Sequence, residues 1–422
     1  MDSGIDTALS AAPLDAHATE PPPLRIGVML RAVDDVDGQG IYIRELCDAL
    51  FDLDARNQYV AFYWHERQLG RYRDRPNVRE VVLPGRRKLV WDQALVPRAA
   101  RRERLDVLFH HKFSIPLASP CPTVVQQRGT EYWCHPEFFG GWSGLVDRYY
   151  NRLMIPLYCR RATRVLTNSD TLGEELIRHV GVPRSKLRTV YAAADERFRP
   201  VTDLATLSRV RERYRLPDEP YLLMVVKGHQ IQGQAGRKAL TPRKNVTIAL
   251  EAYGRLRTRA ASDGRRPPPL VILGIGIAER LTPEVVRQFA DPADVHTPGF
   301  VEFGDMPAIY SLARALVFPS RYESFGIPLV EAMACGCPLI TASTSACPEV
   351  AGEAALLVHP NDVEGLTGAM ERVSFDDILA RDLRQRGLRR AQDFSWTHSA
   401  RTLLAELVVA AVVSPGGAPL GR

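Results

Sequence analysis

Pro319-Ser-Arg-Tyr-Glu323-Ser-Phe-Gly326-Ile-Pro328-Leu-Val-Glu331-Ala-Met-Ala-Cys-Gly336 follows the apolar run 315–318. A short apolar run, then turn residues, then a proline suited to a first helical turn, predict a strand, a loop and a helix starting at Pro328. Gly326 allows the backbone to approach a ligand, and the amides of a helix start favour an anion. Glu323 falls in the loop and Glu331 one turn inside the helix. Two carboxylates beside an anion site make chemical sense as acceptors for hydroxyl groups, which sugars and riboses supply. Taken without its surroundings, the pair reads equally as a solvated loop acid and a helix-start acid favoured by the dipole.

The same strand–helix alternation extends in both directions. Strands are expected near 25–30, 59–64, 106–109, 123–127, 164–167 and 188–191, and again at 221–226, 270–273, 316–319, 338–341 and 355–358. Tyr42, Leu46, Ala49, Leu50 and Leu53 follow a helical period after Gly40 and read as core. Thr171 with Glu174 has capping-box spacing, and Gly181 before Pro183 marks the end of that helix. The pattern predicts an α/β protein of two doubly wound, Rossmann-like domains facing each other across a cleft. The expected divisions are a disordered tail at 1–23, an N-terminal domain at 24–200, a C-terminal domain at 201–395, and a final helix and tail at 396–422. That last helix is expected to pack back on the first domain. The polar, glycine-containing stretch 228–241 is open to two readings, a lid over the cleft or mere length variation.

Read together, these segments resemble the retaining glycosyltransferases of family 4 (glycosyl transferases group 1), which have the GT-B fold. Glu323 and Glu331 match their E-x7-E motif, and Pro338–Thr341, Cys347–Gly352 and 355–358 look like the strand, turn and strand that follow. Pro298-Gly299-Phe300-Val301 and 305–310 resemble the nucleobase loop and its helix. Arg243-Lys244-Asn245 is similar to the basic phosphate motif, and Gly38-Gln-Gly40 to the N-terminal glycine loop. Trp91-Asp-Gln and 167–171 match weaker features. The likeness spans nearly all of 24–400, and the order and spacing of the motifs make it specific.

The resemblance implies a nucleoside-diphosphate sugar as donor and a glycan or lipid-linked acceptor, with mannose or another hexose transferred in bacterial polysaccharide assembly. It implies that Glu323 bonds the donor sugar, that Glu331 holds the ribose, and that Lys244, with Lys227, neutralises the leaving diphosphate. Gly38, Gly40, Arg243, Ser324, Phe325, Gly326, Ile327, Leu329 and Val330 complete the expected donor site, with backbone amides around Phe325, Gly326 and Ile327 meeting sugar and phosphates. Val226-Lys227 departs from a common glycine–arginine pair, keeping the charge but losing the bidentate fork. Where many relatives carry His-Asp, this chain has Arg128-Gly129, followed by Glu131. The histidine's role therefore does not transfer; Arg128 either substitutes for it or points elsewhere, and Arg128 and Glu131 mark an N-domain site.

Neither a metal nor a cofactor is expected. No His/Asp cluster of ligand type is apparent in the sequence, and Gly274-Ile-Gly276 lacks the third glycine of a dinucleotide fingerprint, with Glu279 in its place. Seven scattered cysteines without a C-x-x-C pair read as reduced, packed thiols. His110 and His111 end a strand, one expected in packing and the other facing solvent. No apolar run reaches the ~20 residues of a membrane span, and no secretory signal is evident, so a cytoplasmic location is expected. The net charge of +6, with arginine clusters at 86–88, 98–104 and 160–161, leaves two readings: a solvated basic face, or contact with an anionic membrane or lipid phosphate. Peripheral attachment to the inner face of the plasma membrane follows from the second. Nucleic acid is not expected as a partner, because no base-stacking motif accompanies the arginines. A GT-B epimerase or phosphorylase, or a non-catalytic sugar-nucleotide binder, is the rival reading of the whole.

Overall fold

The structure, a computed structural model, describes residues 22–34, 38–85, 87–226 and 243–412. Among them stand two parallel sheets. The first comprises β1 (Arg25–Met29), β2 (Gln58–Tyr63), β3 (Val78–Val82), β4 (Val107–His110), β5 (Thr123–Gln126), β6 (Arg164–Thr167) and β7 (Leu187–Thr189), in the order β3-β2-β1-β4-β5-β6-β7. The second comprises β8 (Tyr221–Val225), β9 (Leu270–Leu273), β10 (Val295–Gly299), β11 (Ala313–Phe318), β12 (Leu339–Ala342) and β13 (Ala355–Val358), in the order β10-β9-β8-β11-β12-β13. Strand order reverses between β1 and β4 and between β8 and β11, and loops leaving such points form the crevice of a doubly wound sheet.

Central strands such as β4 and β9 are buried along their whole length because helices cover both faces. That is why they read as unbroken apolar runs. Two edge strands were not expected. β3, Val-Arg-Glu-Val-Val, breaks its apolar run with two charged residues and is only half-buried. β10 contains Pro298, whose missing N–H is tolerated at the sheet edge, so Pro298-Gly299 ends a strand rather than lying wholly in a loop.

The helix Asp170–Val180 starts differently from its expected capping box. Ser169, not Thr171, is the N-cap, accepting from the Leu172 amide at 3.1 Å. The Thr171 hydroxyl is turned to Glu349 of the second domain instead. Gly181 does close the helix, at φ 74°. The last described helix, Trp396–Val412, packs against the first domain's helix Gly38–Leu53. Trp396 meets the Tyr42 ring edge-on at 5.3 Å, and buried Glu406 pairs with Arg164 and Arg188 at 3.1 and 3.0 Å. The expected N-terminal tail, apart from residues 22 and 23, and the loop 228–241 lie outside the described residues.

On the Gly38–Leu53 helix, half-buried Glu45 is pushed up to about 7 by burial and by the neighbouring acids Asp195 and Asp48. Asp195 is held below its ordinary value, chiefly by hydrogen bonds from Arg197. A carboxyl raised in the folded state stabilises the fold below its unfolded pKa and loses that contribution as pH rises through about 7. Thermal melting should therefore fall between pH 5 and pH 8 more in the wild type than in Glu45→Gln. Parallel curves for the two proteins would show that Glu45 ionises without cost.

Candidate functional site

Asn245 organises the second domain's side of the cleft. It adopts the left-handed conformation (φ 59°), and its side-chain amide donates to Pro319 O at 3.0 Å and Pro360 O at 2.5 Å. Arg243 and Lys244 are thereby held against the loop that leaves β11, and the Arg321 amide donates to Arg243 O at 2.9 Å. The Lys244 ammonium lies 4.5 Å from the Phe318 ring centroid and 2.5 Å from a Glu323 carboxylate oxygen. Burial pulls the Glu323 carboxyl upward, but Lys244 and Arg243 outweigh it and hold it below the ordinary carboxylate range. Glu323 is therefore an anion, and its backbone is fixed as well. Its amide donates to Ser345 Oγ at 3.0 Å, and its carbonyl accepts from the Ala346 amide at 3.1 Å.

The helix after this loop spans Ile327–Ala334, so it begins one residue before Pro328. Gly326 precedes it at φ 94°, a conformation that strains other residues, and no side chain caps the helix start. Phe325, Leu329 and Val330 have buried side chains, so what they can offer a ligand is backbone. Ser324 Oγ accepts from Asn168 of the first domain at 3.1 Å. Buried Glu331 accepts a hydrogen bond from the Tyr310 hydroxyl at 2.9 Å. Each expected glutamate thus has a protein partner that orients it.

On the first domain's side, Gly38 and Gly40 lie in the opening turn of the Gly38–Leu53 helix. Arg128, 9% exposed, sits 4.5 Å from the Tyr42 ring centroid. At Gly129 the Glu131 carboxylate folds back over the backbone, so a side chain there would displace it. From that position Glu131 pairs with Arg243 across the cleft at 2.7 Å. Arg128-Gly129-Thr130-Glu131 therefore places an acid on Arg243 of the second domain.

His110 and His111 correct an expectation. Both are fully buried and neither faces solvent: His110 Nδ1 lies against Ser114 O in the turn after β4, and the two rings meet edge-on at 5.5 Å. Burial drives both imidazoles well below their usual pKa. Lys227 lies outside the described residues. Sequence reading missed two further cross-cleft residues. Tyr322 OH accepts from the Thr130 amide at 2.8 Å and donates to Glu175 at 2.9 Å. Glu349 accepts from the amides of Asp170 and Thr171 at 2.7 and 2.8 Å. The E-x7-E segment contained Tyr322 and the 347–352 match contained Glu349, yet nothing local distinguishes a cross-domain bond from a solvated side chain.

The arrangement brings two oriented cations, an ionised acid and an uncapped helix start to one cleft wall. It suits a ligand carrying both phosphate and hydroxyl groups. Two family profiles tile the chain on either side of this cleft: Glycosyltransferase Family 4 over residues 36–198 and Glycosyl transferases group 1 over residues 237–390. The chain belongs to glycosyltransferase family 4. Among its relatives are the O-antigen chain mannosyltransferase B of Escherichia coli, 30% identical over 56% of this chain and 58% of the relative, and the MMP α-(1→4)-mannosyltransferase of Mycolicibacterium hassiacum, 32% identical over 67% and 61%. The chain thus spans about three-fifths of the length of these curated relatives. The glycosyltransferase fold is GT-B, shared with a Rickettsia africae glycosyltransferase (TM-score 0.69, 14% identity, 93% of this chain and all of that one) and with Anabaena Alr3699/HepE solved with UDP and glucose (TM-score 0.67, 16% identity, 92% and all). Among the described residues of this family-4 chain, no helix is long and apolar enough to cross a membrane, and no three His, Cys, Asp or Glu residues group as metal ligands.

Proposed function

We propose that this protein transfers a hexose, with mannose as the leading candidate, from a nucleoside diphosphate to a glycan or lipid-linked acceptor in bacterial polysaccharide assembly. The observation that carries the reading is the Lys244–Glu323 pair seated beside the Gly326 helix start. Breaking the anomeric bond builds negative charge on the diphosphate and positive charge on the sugar. Lys244 and the helix amides meet the first, and ionised Glu323 lies where the second can develop. One well-placed donor to such a leaving oxygen lowers a barrier by about 3–4 kcal/mol. Glu331, one turn deeper, is the ribose acceptor in this scheme. Arg243 contacts the diphosphate and is released from Glu131 as it does so. The relatives named as mannosyltransferases support the sugar, and the neighbour holding UDP and glucose supports a nucleotide-sugar donor.

The transfer retains the donor's anomeric configuration and uses the diphosphate itself as the base, without a metal. Calorimetry with UDP, GDP, ADP and dTDP tests the site, and one of them should bind more tightly than millimolar. Product formed from the matching sugar donor should keep the donor's coupling at C1, and turnover should survive EDTA. Failure of all four diphosphates to bind would remove the donor assignment. An inverted product, or activity lost to EDTA and restored by magnesium, would remove the mechanism alone.

A further inference from the structure

The helix Gly141–Arg161 faces the wrong way for a helix that only packs on its own domain. Trp142, Leu145, Val146, Tyr149 and Leu153 recur at the spacing of one helical face. Such a face ordinarily turns inward. Here Trp142 is 82% exposed, Leu153 72% and Tyr149 65%, while Gly144, Arg148 and Asn151 on the other side of the same turns are partly buried. Arg148 Nε donates to Tyr132 O at 3.0 Å, and the Arg152 guanidinium lies 5.9 Å from the Trp133 ring centroid. Only farther along does the helix enter the core, at Ile155, Tyr158 and Cys159, on the side carrying Arg148. The exposed stripe is therefore fixed outward by a buried anchor. Leu89 and Val90, 56% and 47% exposed, add to the first domain's apolar surface, and the segment bearing them starts at Lys88, close enough to Asp147 for each charge to act on the other.

We infer that this face docks on an anionic bilayer, with the aromatic and aliphatic side chains in the headgroup–acyl boundary and the surrounding cations on lipid phosphates. Charge selects this occupant. The helix carries exposed Arg152, Arg160 and Arg161 against a single acid, Asp147, and exposed Arg87 and Lys88 precede Leu89. A second copy of the same face would bring like charges together, whereas acidic lipids complement them. Tryptophan and tyrosine suit the polar–apolar boundary, and the helix is not apolar enough to span. The helix is also tied to the cleft. Tyr132, which holds Arg148, follows the cleft acid Glu131 directly and stacks on Phe139 at 4.8 Å, so docking sets the cleft close to the membrane. The inference requires no assumption about the donor or the reaction.

Flotation of the full chain with vesicles of phosphatidylcholine, alone or mixed with phosphatidylglycerol, tests it. The wild type should float with the mixed vesicles and lose them as salt is raised. Trp142→Ser/Tyr149→Ser/Leu153→Ser should lower that partition about tenfold or more, while thermal melting stays near wild type. Arg87→Glu/Lys88→Glu should abolish the preference for mixed over neutral vesicles. Retained flotation of the triple variant would overturn the inference. So would a wild-type dimer in light scattering that the triple variant converts to monomer, which would assign the face to self-association.

Discussion

Glu323→Gln should slow turnover about ten- to hundredfold while affinity for the bare nucleoside diphosphate stays near wild type, as expected for loss of one charge-bearing hydrogen bond worth about 1.5–3 kcal/mol. Glutamine keeps the shape of the side chain and can still accept from Lys244, so the loop should hold its place. What disappears is the anion that, in the proposed scheme, faces the reacting sugar. Glu331→Ala should act in the opposite sense. Its carboxylate is buried against the Tyr310 hydroxyl, in the helix rather than the loop, so the variant should bind the bare diphosphate about ten- to hundredfold more weakly. It should also melt earlier, because the Tyr310 hydroxyl loses a buried acceptor, at a cost of about 1–3 kcal/mol. Binding is therefore to be measured well below the variant's melting temperature. Equal defects in both variants, in turnover and in binding, would remove the division of roles.

Glu349→Ala should loosen the two domains. Glu349 belongs to the second domain, yet its carboxylate sits on the start of a first-domain helix. It accepts from the amides of Asp170 and Thr171, from Thr171 Oγ at 2.5 Å and from the Tyr191 hydroxyl at 3.0 Å. An anion at a helix start is favoured by the amides and by the dipole together. Hydrogen bonds of this charged kind are worth about 1.5–3 kcal/mol, so a closed arrangement should lose about ten- to hundredfold in population against an open one. Small-angle scattering should show a larger radius of gyration, and kcat/KM should fall because the cleft is complete only when both walls meet. Asp170→Ala, which spares the backbone amides, should have a smaller effect. An unchanged radius in Glu349→Ala would mean that the other cross-cleft bonds hold the domains without it.

Those other bonds explain why local chemistry alone understates this site. Arg243 reaches Glu131, Tyr322 reaches Thr130 and Glu175, and Ser324 meets Asn168, each pairing residues more than a hundred positions apart. A sequence pattern carries no record of which distant side chain will lie opposite.

The sequence by itself determined the α/β alternation, the two domains' worth of strands and the second domain's wall of the cleft. Strands buried on both faces must be apolar throughout, so β4, β8 and β9 announce themselves. The wall around Glu323, Gly326 and Glu331 is one continuous strand–loop–helix, whose geometry is local. Tertiary structure decided the rest. Edge strands β3 and β10 are stabilised by pairing to a neighbour and need no apolar run. His110 and His111 are buried because of what packs over β4. The helix Gly141–Arg161 shows the limit most clearly. Periodicity reveals that it has an apolar face, but only the anchoring of Ile155 and Tyr158 in the core decides that this face looks outward.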